Sequence, residues 1–241
     1  MKPTTTPKSL MPRRLESEKE YRLALQLNPG DPDTYGEYGV ALSRMGRTNE
    51  AIAMSKRAFE LDPLSAQSAV TVAVSYYSGR QYDQAIEQAR KAVKLDPTFI
   101  QARRWLGLAY AAKGKFREAI DEFKLTVQLS PGNLSYLTNL ARLYAWAGKE
   151  TEARQALAQV NELSKTQFIS AWAIAMIYTA LGNKDEAFAW MDKAYEERSG
   201  WLLSLPVNQW VDPLRSDPRF DELVRRVQAT AKLTPTLKIP R

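Results

Sequence analysis

The chain has 241 residues, 44% hydrophobic and 25% charged, with 34 basic and 27 acidic side chains, no cysteine and no histidine. That balance suits one or two globular domains. The two absences exclude disulfides, thiolate nucleophiles, zinc fingers, Ser-His-Asp triads and HExxH metal sites.

The formal charge of +7 sits at the ends. Residues 1–14 carry Lys2, Lys8, Arg13 and Arg14 with no acid, residues 228–241 carry Lys232, Lys238 and Arg241 with no acid, and residues 15–227 hold 27 bases and 27 acids. Thr and Pro dominate both ends, a composition that buries too little apolar surface to offset the entropy of ordering. Residues 1–14 and 232–241 are therefore expected to be disordered tails. No apolar h-region follows the basic start. The longest nearly uninterrupted apolar stretch, Ala171 to Tyr178, falls far short of the roughly 18 to 20 residues that span a bilayer. A soluble, cytoplasmic chain is expected.

Residues 15–31, with Tyr21, Ala24 and Pro29, match only the second helix of a unit that repeats in full from residue 32, and so are expected to form a half repeat. Pro29, Pro63, Pro97 and Pro131 are each 34 residues apart, the first three preceded by Leu-Asn or Leu-Asp. Five units stay in register without insertion: 32–65, 66–99, 100–133, 134–167 and 168–201. Position 8 is always small (Gly39, Ala73, Gly107, Ala141, Ala175), and position 11 is Leu42, Tyr76, Tyr110, Tyr144 and Tyr178. Position 20 is always alanine: Ala51, Ala85, Ala119, Ala153 and Ala187. Within a unit, apolar residues at i, i+3, i+4 and i+7 predict a first helix of about a dozen residues. Glycine at position 15 (Gly46, Gly114, Gly148, Gly182) ends it where positive φ is wanted, and Gly79 comes one position early. A second helix follows, its alanine facing the small residue at position 8, and proline stops it. Residues 202–231 are expected to cap the array: an irregular apolar stretch, then Asp217 and Pro218 opening a helix with Phe220, Leu223, Val224 and Val227 on one face.

Leu106-Gly107, Tyr110, Gly114, Phe116, Ala119, Phe123 and Pro131 carry a resemblance to the tetratricopeptide repeat (TPR) family. The family tryptophan position holds Arg103, with Trp105 two places later, and units four and five have Lys165 and Ser199 in place of the terminal proline. The resemblance implies an all-α fold, a right-handed α-solenoid of antiparallel helix pairs with a C-terminal capping helix. The stretch from Ala187 to Phe220 is similar to the TPR module of bacterial multidomain regulators that carry winged-helix, kinase or cyclase parts, which implies a regulatory role as an alternative to a free-standing scaffold.

No phosphate loop, GxGxxG or GxSxG occurs. Asp31, Asp33 and Gly36 imitate an EF-hand start, but the twelfth position, which needs a bidentate Glu, is Leu42. No enzyme activity, cofactor or metal is expected. The resemblance places positions 2, 5, 6, 9, 12 and 13 of each unit in a concave groove. Units one and two contribute Asp33, Glu37, Arg44, Gln67, Thr71 and Tyr77. Later units contribute Gln101, Arg104, Trp105, Leu108, Asn139, Arg142, Trp146, Trp172 and Met176. Tryptophan and arginine dominate binding hot spots. The expected site is therefore Tyr77, Arg104, Trp105, Leu108, Asn139, Arg142, Trp146, Trp172 and Met176, taking a protein or peptide with apolar side chains and an acidic group. The carboxylate clamp of some TPR domains finds only Arg104 and Asn139, with Leu108, Trp172 and Met176 elsewhere, so chaperone tails are disfavoured. Nucleic acid is not expected, because the excess charge lies in the tails. The single helix at 15–31 exposes an apolar face that could drive self-association.

Overall fold

Three of the five first helices begin on capping side chains, whereas those that follow Phe99 and Ser170 begin without one. The Asp31 carboxylate accepts from Thr34 N at 3.2 Å ahead of Pro32, the Ser65 hydroxyl from Ser68 N at 3.1 Å, and the Asn133 amide oxygen from Ser135 N at 3.0 Å. These satisfy amides that the first turn leaves orphaned. The acids at 31 and 33 thus open a helix. Second helices start without a side-chain cap and carry acids in their first turn, such as Glu50, Asp83 and Glu118, which complement the helix dipole.

The computed structural model describes residues 10–206 and 208–233, and among these every regular element is helical. The outer parts of the two expected tails, residues 1–9 and 234–241, lie outside the described residues. The chain forms two compact lobes, one ending at Pro97 and the other spanning Thr98–Leu233.

The first lobe holds α1 (Leu10–Leu27), α2 (Pro32–Arg44), α3 (Thr48–Leu61), α4 (Ala66–Ser78) and α5 (Tyr82–Leu95). Helix α1 begins inside the stretch expected as a tail, with Pro12 in its first turn, where a missing N–H costs nothing. Helices α2 and α3 pair, as do α4 and α5, and the pairs stack through α2, α3 and α4. At the pair contact the small residue is obligatory. A Cβ on Gly39 would collide with Ser55 Oγ and lie 3.1 Å from the Ala51 carbonyl oxygen and 3.2 Å from Ser55 N. Beneath it runs a hydroxyl chain that no sequence signal announced: Ser43 Oγ donates to Ser75 Oγ at 3.3 Å, and Ser75 shares a 2.7 Å hydrogen bond with the fully buried Ser55.

The turns between paired helices follow the glycines with one exception. Gly46, Gly114, Gly148 and Gly182 have φ between 71° and 77°, whereas in the second repeat the left-handed residue is Arg80, at φ 57°. Gly79 is held one place early because a Cβ there would strike the Thr48 methyl. Left-handed geometry costs a side-chain-bearing residue on the order of 1 to 2 kcal/mol, partly offset by glycine's greater entropy when unfolded. Arg80→Gly is therefore expected to stabilise the protein by about 0.5 to 1 kcal/mol, read as a higher urea midpoint. A lower midpoint would mean that the arginine side chain, not the backbone, decides this turn.

Helix α1 docks on α2 and α3. The Tyr21 and Tyr38 rings stack at 5.4 Å, and Leu25 packs on the Tyr38, Leu42 and Ala51 cluster. The Glu18 carboxylate accepts from Tyr38 OH at 3.0 Å, Arg47 at 2.8 Å and Arg22 at 2.9 Å. Hydrogen bonds from Arg47, then Arg22, hold its pKa at about 2 instead of the ordinary 4.5. A carboxylate whose pKa falls on folding stabilises fully above its unfolded value and loses that contribution as pH drops through the folded value. Thermal melts should show the wild type more stable than Glu18→Gln at pH 7, the difference shrinking between pH 4.5 and about 2. A difference independent of pH would refute this reading of α1 docking.

The second lobe holds α6 (Ile100–Ala112), α7 (Phe116–Leu129), α8 (Leu134–Trp146), α9 (Glu150–Leu163), α10 (Ala171–Ala180) and α11 (Lys184–Glu196), then 3-10 turns at Gly200–Ser204 and Gln209–Leu214, and α12 (Pro218–Leu233). Its helices pair as α6/α7, α8/α9 and α10/α11. Gly107 meets the ring of the fully buried Phe123, and a Cβ there would lie 2.8 Å from two ring carbons. The alanines at position 20, Ala119, Ala153 and Ala187, are fully buried.

The C-terminal segment keeps the repeat period without keeping its signature. Helix α12 opens at Pro218, 34 residues after the Lys184 that opens α11. Arg219 reaches Asp185 at 2.8 Å and Arg226 reaches Asp192 at 2.7 Å, both pairs 34 apart, while the same guanidiniums lie over the Phe188 and Tyr195 rings. Asp217 accepts from Arg219 N at 3.1 Å and caps the helix. Helix α12 thus takes the place of a second helix in a further repeat. Its first helix is missing because Pro206 and Pro213 fall inside that stretch, where a helix interior does not tolerate them, and the chain makes two 3-10 turns instead.

Candidate functional site

The residues proposed for a groove divide between the lobes. In the second lobe, α6 presents Arg104, Trp105 and Leu108, and α8 presents Asn139, Arg142 and Trp146, all partly buried. Gln101 Nε2 donates to Tyr136 OH at 3.5 Å and ties these two first helices together. Arg103, at the family tryptophan position, pairs with Glu122 at 3.0 Å and joins α6 to α7, both side chains being less than a fifth exposed.

Both groove arginines of the second lobe lie over an indole. The Arg104 guanidinium is 4.8 Å from the Trp105 ring centre, and that of Arg142 is 4.9 Å from the Trp146 ring. Arg142 also donates to Asn139 Oδ1 at 2.7 Å, and Asn139 Nδ2 donates to Ser135 O at 2.6 Å. Stacking on an aromatic face and a fixed amide partner hold a guanidinium's donors in one orientation. Such a planar fork suits a carboxylate. Trp146 is in turn clamped by Trp210, stacked at 4.1 Å, and by Phe116 at 6.2 Å. Its edge opens on a recess of about 570 Å³ with Phe116, Lys115, Asp121 and Lys149.

Trp172 and Met176 are not surface residues. They are 7% and 2% exposed and pack among Phe188, Leu202, Leu205, Val211 and Leu214. The repeat register placed them at positions 5 and 9 of the fifth unit, facing a groove, but the 3-10 turns lie across that face of α10 and seal it. The signal that could have located this lid was the apolar run Leu202, Leu205, Val211 and Leu214 itself. With two prolines preventing a helix, those side chains had to find an existing surface to cover.

In the first lobe, Tyr77 is half-buried on α4 with its ring 5.6 Å from Tyr82. The other groove residues of units one and two gather around a recess of about 450 Å³ lined by Tyr21, Asp33, Glu37, Arg44, Ser68 and Thr71 among others. Burial, then the Glu37 carboxylate, pushes the Tyr21 phenol above its usual pKa. Asp33, Glu37, Arg44, Gln67 and Thr71 hold expected groove positions but fall outside the expected site.

Paired antiparallel helices in 34-residue register, closed by small residues at positions 8 and 20 and turned by left-handed residues, define a helical-repeat protein of the α-solenoid class. Tetratricopeptide repeat models match residues 20–53, 111–174 and 170–199, together more than half of the chain, and a model described as anaphase-promoting complex, cyclosome, subunit 3 matches residues 44–126. The chain belongs to the tetratricopeptide repeat family. No curated protein sequence matches it. Among solved structures it is similar to TTC0263, a thermophilic TPR protein in Thermus thermophilus, with 24% identity and a TM-score of 0.61 over 76% of this chain and 98% of that one. It is also similar to MamA 41-end from Desulfovibrio magneticus RS-1, with 20% identity and a TM-score of 0.57 over 65% and 88% of the two chains. These likenesses establish the fold. Among the described residues no helix is long and apolar enough to cross a membrane.

Proposed function

We propose that the chain is a protein–protein interaction scaffold and that the face of α6 and α8 takes up a partner segment bearing an apolar side chain and a carboxylate. The observation that carries this reading is the pair of guanidinium–indole stacks, Arg104 on Trp105 and Arg142 on Trp146, on neighbouring first helices with Leu108 beside them. Trp105 and Leu108 offer apolar contact, and the two guanidiniums offer charge-assisted hydrogen bonds in a partly desolvated setting, where they are strongest. The site ends at α8, since α10 is sealed by the chain's own 3-10 turns.

Affinity capture from the native organism, followed by titration of the recovered partner, tests this. Arg104→Ala and Arg142→Ala are each expected to weaken binding by roughly 1 to 3 kcal/mol without changing the helical signal. A partner held equally well by both variants would overturn the assignment.

A further inference from the structure

The second 3-10 turn does more than cover α10. Val211 and Leu214 are its buried anchors in the core around Trp172 and Met176, whereas Trp210 stays partly buried and reaches α8. There its ring stacks on Trp146, with centroids 4.1 Å apart and an angle of 25° between the planes. A segment outside the repeats thus touches a side chain of the partner face.

Trp210 is itself held in place. Asn208 Oδ1 accepts from Trp210 N at 3.0 Å, and Arg215 Nη2 lies within 3.3 Å of the carbonyl oxygens of Leu205, Pro206 and Asn208, gathering the turn around one guanidinium. Arg215 Nε also donates to Asp212 at 2.6 Å. With Leu205, Val211 and Leu214 at most 1% exposed beneath it, the turn presents the indole of Trp210 from a fixed base.

From Trp146 the contacts run back along α8. Arg142 lies one helical turn earlier, its guanidinium 4.9 Å from the Trp146 ring centre, and it donates to Asn139 Oδ1 at 2.7 Å. An indole free to change rotamer would carry the guanidinium with it or lose the stack. An indole stacked on a second, anchored one keeps its rotamer. We propose that Trp210 is a positioning residue of the partner site, holding Trp146 and through it the Arg142 fork, so that the 3-10 segment tunes the affinity of the α8 face. The inference rests on the assignment of the α6 and α8 face to a partner. Order already present in the free protein need not be imposed by the ligand, and that is how a residue outside the contact surface strengthens binding.

Nuclear magnetic resonance of the full chain reads the positioning without any partner. The Arg142 Nε–H resonance, identified by its loss in Arg142→Lys, is expected to be displaced by the Trp146 ring current in the wild type. Trp210→Leu keeps apolar bulk over the turn and removes the stack, and should move that resonance toward the position of a free arginine. Trp210→Phe restores a ring and should return it toward the wild-type position, while the Arg104 Nε–H resonance stays unmoved in both. An Arg142 resonance that Trp210→Leu leaves in place would overturn the proposal, and so would equal movement of the Arg104 resonance, which reports general loosening. With the captured partner, Trp210→Leu should weaken binding roughly three- to tenfold, the cost of ordering one long side chain afresh. In an Arg142→Ala background it should add nothing, because the two residues act in series. Additive losses would contradict the positioning role. The face assignment fails separately: a partner held equally well by Arg142→Ala removes that assignment, while the resonance still decides whether Trp210 positions Arg142.

Discussion

Trp172→Ala is expected to destabilise the protein by about 3 to 5 kcal/mol, as removal of a large ring from a packed core does. The indole is 7% exposed and lies among Met176, Phe188, Leu202, Val211 and Leu214, so its loss opens a cavity shared by α10, α11 and the 3-10 turns. The register of the repeat alone implies a different result, a loss of partner binding with stability unchanged. Urea unfolding followed by circular dichroism separates the two outcomes. A midpoint equal to that of the wild type would place the ring on the surface and remove the lid from the account.

The second large effect lies at the helix contact of the first repeat, where Gly39→Ala is expected to cost about 3 kcal/mol, the upper range for overpacking. Two of the three atoms a Cβ would meet, the Ala51 carbonyl oxygen and Ser55 N, are backbone and cannot swing aside. Ser55 Oγ, the third, is held by Ser75. Gly107→Ala is the control. Its nearest neighbours are two carbons of the Phe123 ring, side-chain rather than backbone atoms, and alanine gains about 1 kcal/mol of helix propensity over glycine. The net change at Gly107 is expected to stay within about 1 kcal/mol. Equal costs at the two sites would mean that the backbone contact at Gly39 is not what constrains it.

The contrast between these glycines shows how far the sequence reaches. Spaced prolines, the five alanines at position 20 and the small residues at position 8 mark helix ends and close contacts, because each reports a backbone constraint that recurs every 34 residues. What is not periodic was not legible. Arg80 takes the left-handed position because Thr48 presses on Gly79, a contact between residues 31 apart that no local pattern records. The hydroxyl chain of Ser43, Ser55 and Ser75 looks like ordinary serine content until the helices are packed. The candidate site was half legible. Arg104, Trp105, Leu108, Asn139, Arg142 and Trp146 remain partly exposed on α6 and α8, but Trp172 and Met176 are covered by a segment whose departure from the repeat hid its destination.

The most direct test of the proposed scaffold is photo-crosslinking from residue 108, with a benzophenone amino acid in place of Leu108 on α6. A covalent adduct with the partner recovered by affinity capture is expected, together with its loss when Arg104→Ala and Arg142→Ala are added. An adduct that persists in the presence of both substitutions, or a captured partner that never crosslinks from this position, would contradict the assignment of the α6 and α8 face.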